Sequence, residues 1–314
     1  MPSQKLKAPS ARPLDALAIS LVMLLCLSWG FNQISVKLAL PDIPPFTQAA
    51  IRSVGGLLVI LFAAWVRGVK LFERDGTLAA GLLAGVVFAL EFIFIYRGLV
   101  YTTASRAVVF LYTAPFVVAL GSKRFLGEPL TSMQWCGLGL SFIGVALAIG
   151  VPQPSVDTSV ILGDLMLVMG GVLWAGTTLI VKASRLVHAS PEKAVAYQVA
   201  VSIPILAAAA WLTGERITHM PSLVAWGSMA YQTVWIVGTT FLIWFFLIKS
   251  YSAAKLSSFT FLTPLFGVIG GYFIMHDALS LAFAGAALLV MAGLFLVNRR
   301  TETAGASRRP VTKT

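Results

Sequence analysis

The chain has 314 residues, of which 58% are hydrophobic and only 11% are charged, and its mean hydropathy is +0.87. A soluble domain carries roughly 25% charged residues, so this composition excludes a globular protein with a water-covered surface and predicts a polytopic membrane protein. The net charge of +11 would suit nucleic-acid binding, but the basic residues lie at the ends of apolar segments, so no nucleic-acid partner is expected.

Ten apolar segments are long enough to cross a membrane, for which a helix needs about 20 residues. In chain order the predicted spans are 15–37, 46–66, 77–98, 103–121, 130–150, 161–182, 193–212, 223–247, 256–275 and 279–297. The first span follows a basic segment with Lys5, Lys7 and Arg12. No small-residue cleavage site follows its apolar run, so we expect a retained helix instead of a signal peptide.

The lysines and arginines near the span ends indicate which side of the membrane is cytoplasmic. Eighteen of the 23 lie on the side that holds both termini, four lie on the other side, and Arg52 lies within span two. Because basic residues accumulate in cytoplasmic loops, we expect both termini in the cytoplasm of a multi-pass protein of the plasma (cell inner) membrane. Arg106 and Lys255 lie at span ends and are expected to extend toward the headgroup region.

The second half of the chain repeats residues of the first half. Trp29 and Lys37 recur as Trp174 and Lys182, 145 positions later. Eight residues of the predicted spans four and five recur 149 positions later: Ala104, Phe110, Pro115, Gly121, Leu130, Leu140, Gly144 and Leu147. Five spans in each half mean that the halves enter the membrane from opposite sides, an arrangement that is common in secondary transporters.

The predicted fold class is an all-α polytopic membrane protein with ten transmembrane helices arranged as two inverted five-helix repeats. The first repeat is expected at 14–150 and the second at 161–298, joined by an extracytoplasmic linker at 151–160. The basic segments at 1–13 and 299–314 are rich in Ser, Thr, Pro and Ala and are expected to be cytoplasmic tails.

Three stretches carry a resemblance to a known family. They are Ser28-Trp29-Gly30-Phe31 through Lys37, then Ala50-Ile51-Arg52, and then Tyr101 to Leu140, which is repeated from Tyr251 to Leu289. Over about residues 15–298 the chain resembles the drug/metabolite transporter superfamily and, within it, the EamA-type permeases. Ser53 stands where the family often has Phe. The resemblance implies export of small metabolites or amphipathic toxins from a central cavity lined by spans one, three, four, six, eight and nine.

Two charged residues inside the predicted spans are the leading site candidates. Glu91 lies roughly 21 Å from the inner end of span three and roughly 10 Å from its outer end. Arg52 lies at the same depth, about 9 Å below the outer end of span two. Because a charge at this depth is costly, we expect an Arg52–Glu91 ion pair. The pair either locks helices two and three or lets Glu91 bind a proton or a cationic substrate group; otherwise Glu91 faces lipid-side water or another partner.

Polar and aromatic side chains form a second group of substrate-binding candidates. They are Trp29, Asn32, Gln33, Tyr96, Tyr112, Trp174, Thr178, Tyr231 and Trp235. Aromatic rings and amides would hold a flat or cationic substrate by stacking, cation–π contact and hydrogen bonds, although the same residues also suit helix packing. Pro115 and Pro264 each free a backbone carbonyl one turn earlier, so each is a candidate hinge or a static kink.

No enzyme motif is found in the sequence, which lacks a Gly-rich phosphate loop, a His-Glu-x-x-His motif and a nucleophile elbow. Cys26 and Cys136 lie in separate apolar segments, so neither a metal site nor a cofactor is expected. The leading interpretation is a secondary transporter that exports small metabolites (amino acids or related compounds) or amphipathic drugs by alternating access, with the proton as a candidate coupling ion. The alternatives are a lipid or lipid-linked-sugar flippase, an importer of small metabolites and a membrane-embedded enzyme. Ten helices suffice to enclose a cavity, so a monomer in the bilayer would be sufficient.

Overall fold

A computed structural model describes residues 15–125, 131–150, 158–240, 243–244, 247, 259–260 and 262–298. Within these ranges all of the regular structure is helical, which confirms the all-α class. The predicted tails, the predicted linker as far as residue 157 and most of 241–261 lie outside the described residues.

The described elements are, in chain order, α1 (Ala16–Ala39), α2 (Pro45–Val66), α3 (Leu78–Tyr101), α4 (Ala104–Leu111), α5 (Ala114–Phe125), α6 (Ser132–Gly150), α7 (Thr158–Ala183), a 3₁₀ turn (Arg185–His188), α8 (Pro191–Leu212), α9 (Leu223–Ala230), the π segment (Tyr231–Thr240), α10 (Leu262–Met275) and α11 (Leu281–Asn298). Each predicted span overlaps one of these helices or a consecutive pair.

Six helical stretches of the described residues are long and apolar enough to cross a membrane. They are Ala16–Ala39, Pro45–Val66, Leu78–Tyr101, Ala104–Gly121, Thr158–Ala183 and Pro191–Leu212. Three shorter apolar helices are Ser132–Ala148, Leu262–Met275 and Leu281–Val297. The length and composition of these helices support a multi-pass helical membrane protein.

Helices α2 and α8 begin and end in the same way, at positions 146 residues apart. Pro45 and Pro191 lie in the first turn, where a missing backbone N–H breaks no hydrogen bond of the helix. Gly68 and Gly214 follow the last turns with φ of +64° and +70°, a left-handed conformation that glycine adopts without steric cost. The local structure of the two halves therefore repeats at these two helices.

Predicted span four is interrupted in its middle. Helix α4 ends at Leu111, and α5 begins three residues later. Pro115 has no N–H with which to bond the Leu111 carbonyl, and the Thr113 hydroxyl donates to the Phe110 carbonyl at 2.8 Å. The predicted kink at Pro115 is thus a break between two helices, while movement about it stays a prediction. Pro264 lies in the first turn of α10.

The main contacts between helices join the first half of the chain to the second. Helix α6 packs on α11, α3 packs on α7 and α8, α2 packs on α8 and the π segment, and α1 packs on α10. Glycines allow close approach at these interfaces: a Cβ atom on Gly30 would lie 2.7 Å from the Thr263 carbonyl oxygen and 2.8 Å from the Gly267 nitrogen. All eight residues of α4 are buried, so α4 lies at the centre of the described bundle.

Candidate substrate site

Four polar side chains of α1, α2 and α3 each have a buried atom without a hydrogen-bond partner among the described residues. These atoms are Asn32 Oδ1, Gln33 Oε1, Arg52 Nε and Glu91 Oε2. Helices α1 and α2 both pack against α3. Buried polar atoms in folded proteins are normally hydrogen-bonded, and an unsatisfied one is especially costly within a membrane. The four atoms therefore lack the partner that a polar ligand would supply, and all four side chains were predicted as site candidates.

Arg52 and Glu91 are each only 6% exposed, but the predicted ion pair between them is wrong. No nitrogen of Arg52 pairs with the Glu91 carboxylate within 4.0 Å among the ion pairs of the described ranges. The guanidinium lies over Phe92 instead, with Cζ 4.2 Å from the ring centroid. Consecutive helical residues point about 100° apart, so α2 reaches the Phe92 side of α3 and not the Glu91 side.

Tyr96 is bonded to the protein through a chain of buried side chains. Its hydroxyl donates to Gln232 Oε1 at 2.6 Å, and Gln232 Nε2 donates to Gln48 Oε1 at 3.0 Å. Gln48 Nε2 in turn donates to the Val36 and Ile43 carbonyls, both at 3.4 Å. This chain links α3, the π segment and α2 to the end of α1. A substrate contact at Tyr96 stays a prediction, because its hydroxyl proton is already donated to Gln232.

Trp29 and Trp174 occupy equivalent positions in the repeat but have different partners. Trp29 Nε1 donates to Thr240 Oγ1 at 3.0 Å. The Trp174 ring instead meets Tyr112 edge-on, with 5.6 Å between ring centroids. The Thr178 hydroxyl donates to the Trp174 carbonyl at 3.0 Å, so Thr178 is satisfied within its own helix. The structure therefore brings the Trp174 and Tyr112 rings together, while the Thr178 hydroxyl is bonded to the backbone of Trp174.

Tyr231 and Trp235 line a lateral groove that lies between α1, α9 and the π segment. The Tyr231 hydroxyl donates to the Ser28 carbonyl at 2.8 Å, and Trp235 Nε1 donates to Ser28 Oγ at 2.9 Å. The groove has a volume of about 490 Å³, and its other walls are mainly apolar: Leu24, Leu27, Phe31, Ile34, Leu38, Val224 and Ile274. Neither Arg52 nor Glu91 is among its described lining residues. The structure thus separates the predicted aromatic pair from the predicted charged pair.

A second polar cluster joins α4 to α7. Arg106 is 4% exposed and forms a buried ion pair with Asp164, which is 0% exposed. The Thr102 hydroxyl donates to Asp164 Oδ1 at 2.7 Å, and Arg106 Nη2 also donates to the Ala148 carbonyl at 3.0 Å. The expectation that Arg106 reaches the headgroup region is wrong, because a buried carboxylate lies within its reach. Lys255, for which the same expectation was made, lies outside the described residues.

The same end of the bundle carries two further links. Lys37 Nζ donates to two carbonyls at the end of α3, at 2.9 and 2.7 Å. Asp277 Oδ2 accepts a hydrogen bond from the Ser105 backbone N–H at 2.9 Å, at the start of α4. Because Asp164 and Asp277 come from the second half of the chain, that half holds the beginning of α4 through two carboxylates.

Two carboxylates outside the membrane-spanning helices link loops across the halves. Hydrogen bonds from Ser222, followed by the contact with His219, hold the pKa of Asp42 at about 2. A hydrogen bond from Lys193, at 2.8 Å, is the main reason that the pKa of Asp75 lies below its usual range. Both carboxylates lie in connections between helices, Asp42 between α1 and α2 and Asp75 between α2 and α3, and their links stabilise these connections.

Three polar residues of these networks were missed from the sequence. Gln232 lies in the middle of predicted span eight, whereas Gln48 lies near the start of span two and Asp164 near the start of span six. The available signal was a polar side chain inside an apolar run, which usually faces the interior of the bundle. That signal would have found all three residues, but it would not have identified their partners.

The EamA-like transporter family model matches residues 16–150 and, a second time, residues 161–299. The chain belongs to the EamA-like transporter family. This confirms the resemblance drawn from the residues, and it makes the chain a multi-pass membrane transporter of that family.

Similar proteins are also named as transporters. An uncharacterized transporter, YvbV, from Bacillus subtilis is 29% identical over 90% of this chain and 92% of its own length. Another, sll0355 from Synechocystis, is 30% identical over 87% of each chain. The uncharacterized inner membrane transporter YedA of Escherichia coli is 22% identical over 80% of this chain and 81% of its own. A solved crystal structure with 19% identity covers 90% of this chain and 97% of its own, with a TM-score of 0.65, and shows the fold alone.

Proposed function

We propose that this EamA-family protein is a secondary transporter that exports small metabolites carrying both a cationic and an anionic group, of which amino acids are the simplest. The observation that carries the proposal is the arrangement of Arg52 and Glu91. Each is buried, each keeps a polar atom without a partner in the described structure, and the two are not paired with each other. A zwitterion would bind with its carboxylate at Arg52 and its ammonium group at Glu91. Asn32 and Gln33 would supply further hydrogen bonds.

Alternating access between two inverted five-helix repeats is the mechanism that we propose. The helix interfaces support it, because they pair in the way a two-fold repeat requires. The α3–α7 contact has its equivalent in the contact of α1 with α9 and the π segment, while α2–α8 and α6–α11 each join a helix to its own equivalent. The same family model matching each half also supports it. The halves then occupy 14–150 and 161–298, on either side of a linker at 151–160.

The distribution of basic residues supports cytoplasmic termini in the plasma membrane. In that orientation the Arg106–Asp164 pair and the bond from Ser105 to Asp277 lie at the extracytoplasmic end of the bundle. These contacts close that end by joining the two halves. We therefore assign them the role of an outer gate, which must separate before substrate leaves. A proton on Glu91 is the coupling ion that this site would accept most simply.

A lipid flippase is the second candidate function, and the lateral groove favours it. The groove is mainly apolar, and Tyr231 and Trp235 line it where they are hydrogen-bonded to Ser28 on α1. A flippase would use such a groove for an acyl chain. The buried charges on α2 and α3 favour the zwitterion transporter over it, because a flippase working through this groove would not use them.

Thermal stabilisation of the purified protein tests the proposal. A ligand that binds only the native state raises its stability as the ligand concentration exceeds the dissociation constant. Each amino acid would be compared with the amine that lacks its carboxylate and with the acid that lacks its amino group. We expect one amino acid class to stabilise the wild-type protein and both truncated analogues to fail.

Two variants connect that result to the site. Arg52→Gln and Glu91→Gln should each abolish the stabilisation, whereas Asp42→Asn, in the loop after α1, should leave it unchanged. Stabilisation by the amines or acids alone, or by lipids alone, would contradict the zwitterion site, and stabilisation by lipids alone would favour the flippase.

A further inference from the structure

The repeat places two pairs of residues in equivalent positions around Glu91. Trp174 is the equivalent of Trp29 at an offset of 145, and Thr240 is the equivalent of Glu91 at an offset of 149. Trp29 Nε1 donates to Thr240 at 3.0 Å. The equivalent bond from Trp174 to Glu91 is not among the hydrogen bonds of the described residues, and the Trp174 ring lies against Tyr112. The two halves therefore have different conformations at this point.

Trp174 lies one turn beyond the point where α7 packs against the Glu91 backbone, and the residue is 36% exposed. A Cβ atom on Gly163 would lie 2.9 Å from the Gly98 carbonyl oxygen, and one on Gly170 would lie 3.7 Å from the Glu91 carbonyl oxygen. These contacts show that α3 and α7 run antiparallel in close contact. Trp174 is four residues beyond Gly170, one turn along the same face. The Trp174 position is thus about one helical turn from the point where α7 meets the Glu91 backbone, and Glu91 Oε2 has no partner among the described residues.

The first half already shows the bonded form of this arrangement. Leu25, the equivalent of Gly170, packs in one apolar cluster with Trp29 and Trp244. Trp29, one turn beyond Leu25, meets Trp244 edge-on with 5.6 Å between ring centroids while bonding Thr240. One tryptophan therefore holds the equivalent of Glu91, and the other is turned toward span four.

We infer that Trp174 is the positioning residue of Glu91. In the opposite-facing state its indole N–H donates to the Glu91 carboxylate, and Trp29 releases Thr240. The inference rests on the proposed function, in which the two inverted repeats exchange conformations. Glu91 then binds the ammonium group of a substrate in one state and the Trp174 indole in the other, so that substrate release and the conformational change become one step.

Fluorine NMR of the full chain labelled with 5-fluorotryptophan tests this role. Trp29→Phe and Trp174→Phe assign the two resonances. Thr240→Val is close to isosteric and removes the acceptor of Trp29, so it should favour the opposite-facing state. Each conformational state should give its own Trp174 resonance, and the minor one reports the opposite-facing state. We expect the intensity of this minor resonance to rise roughly twofold to tenfold relative to the major one, the effect of losing one hydrogen bond. Glu91→Ala should lower that minor resonance.

Thr240→Val distinguishes a conformational link from a direct contact effect on Trp174, because Thr240 bonds Trp29 and not Trp174. If Thr240→Val changes only the Trp29 resonance, the inference is overturned, whether or not Glu91→Ala folds. The readout needs no substrate. If the Trp174 resonance does not respond to Thr240→Val while amino acids still stabilise the protein, only the role of Trp174 is refuted. If the Trp174 resonance responds to Thr240→Val but no amino acid stabilises the protein, the role of Trp174 is supported and the proposed substrate class is refuted.

Discussion

Asp164→Asn should open the outer end of the bundle. The wild-type carboxylate accepts hydrogen bonds from Arg106 Nε, at 3.1 Å to each oxygen, from Arg106 Nη2 and from the Thr102 hydroxyl. An amide removes the negative charge and turns one acceptor into a donor that faces the guanidinium. Removing one partner of a buried ion pair costs about 3–5 kcal/mol, because the remaining charge stays buried without a counter-charge.

This loss of free energy destabilises the closed state of the outer gate. If separation of the gate exposes Arg106 to water, the open state does not carry a buried unpaired charge. A loss of about 3 kcal/mol in the closed state alone shifts the ratio of closed to open molecules by roughly 100-fold. The variant should therefore change the population of conformers more than it changes the amount of folded protein.

Labelling of a single cysteine measures that shift. In a Cys26→Ala, Cys136→Ala background, Ser105→Cys places a thiol at a position that is 0% exposed. A membrane-impermeant maleimide added from outside should label it much faster when Asp164→Asn is also present. Asp75→Asn, which breaks the ion pair with the α8 lysine, is the matched control and should leave the rate unchanged. Equal labelling rates in correctly inserted protein with and without Asp164→Asn would refute the gate.

Three further changes follow from the packing and the loops. Gly30→Ala should cost about 1–3 kcal/mol, because its Cβ would lie 2.7 Å from a carbonyl oxygen of α10. Gly139→Ala, with nothing within 4 Å, should leave the thermal midpoint unchanged, and equal midpoints for both variants would contradict the packing. Gln232→Leu removes the acceptor of Tyr96 and should cost about 1–3 kcal/mol; unchanged thermal stability would count against that hydrogen-bonded chain. The pKa of Asp42 is lowered from 3.8 to about 2, so its contribution to stability is present above pH 3.8 and lost as pH falls toward 2. Asp42→Asn should remove that acid dependence from the thermal midpoint, and a wild-type-like acid profile would argue against it.

The positions of the helices follow from the sequence, whereas the partners of the polar residues do not. Apolar length marked each span because a helix must cover the hydrocarbon core. Depth within a span also follows from residue counting, and it correctly brought Arg52 to the level of residues 91 and 92. The choice between Glu91 and Phe92 depends on how α2 and α3 are rotated about their axes, which is set by their packing against α8 and the π segment.

Burial of Arg106 shows a second limit of reading the sequence. A basic residue at a span end normally extends to the headgroups, and only a partner carboxylate changes that outcome. Asp164 is 58 residues away in sequence, so hydropathy gave no reason to join the two. Tyr231 and Trp235 show the same limit, because Ser28 on another helix determines where their polar groups point.

Release of solutes from proteoliposomes tests the central claim most directly. Vesicles containing the protein would be loaded with an equimolar mixture of amino acids and their matched amines and acids, and the appearance of each outside would be followed by mass spectrometry. The account predicts that wild-type protein releases a class of amino acids faster than protein-free vesicles do, and that Glu91→Gln and Arg52→Gln abolish this release. Release identical to that of protein-free vesicles, combined with movement of a labelled lipid between leaflets, would contradict it.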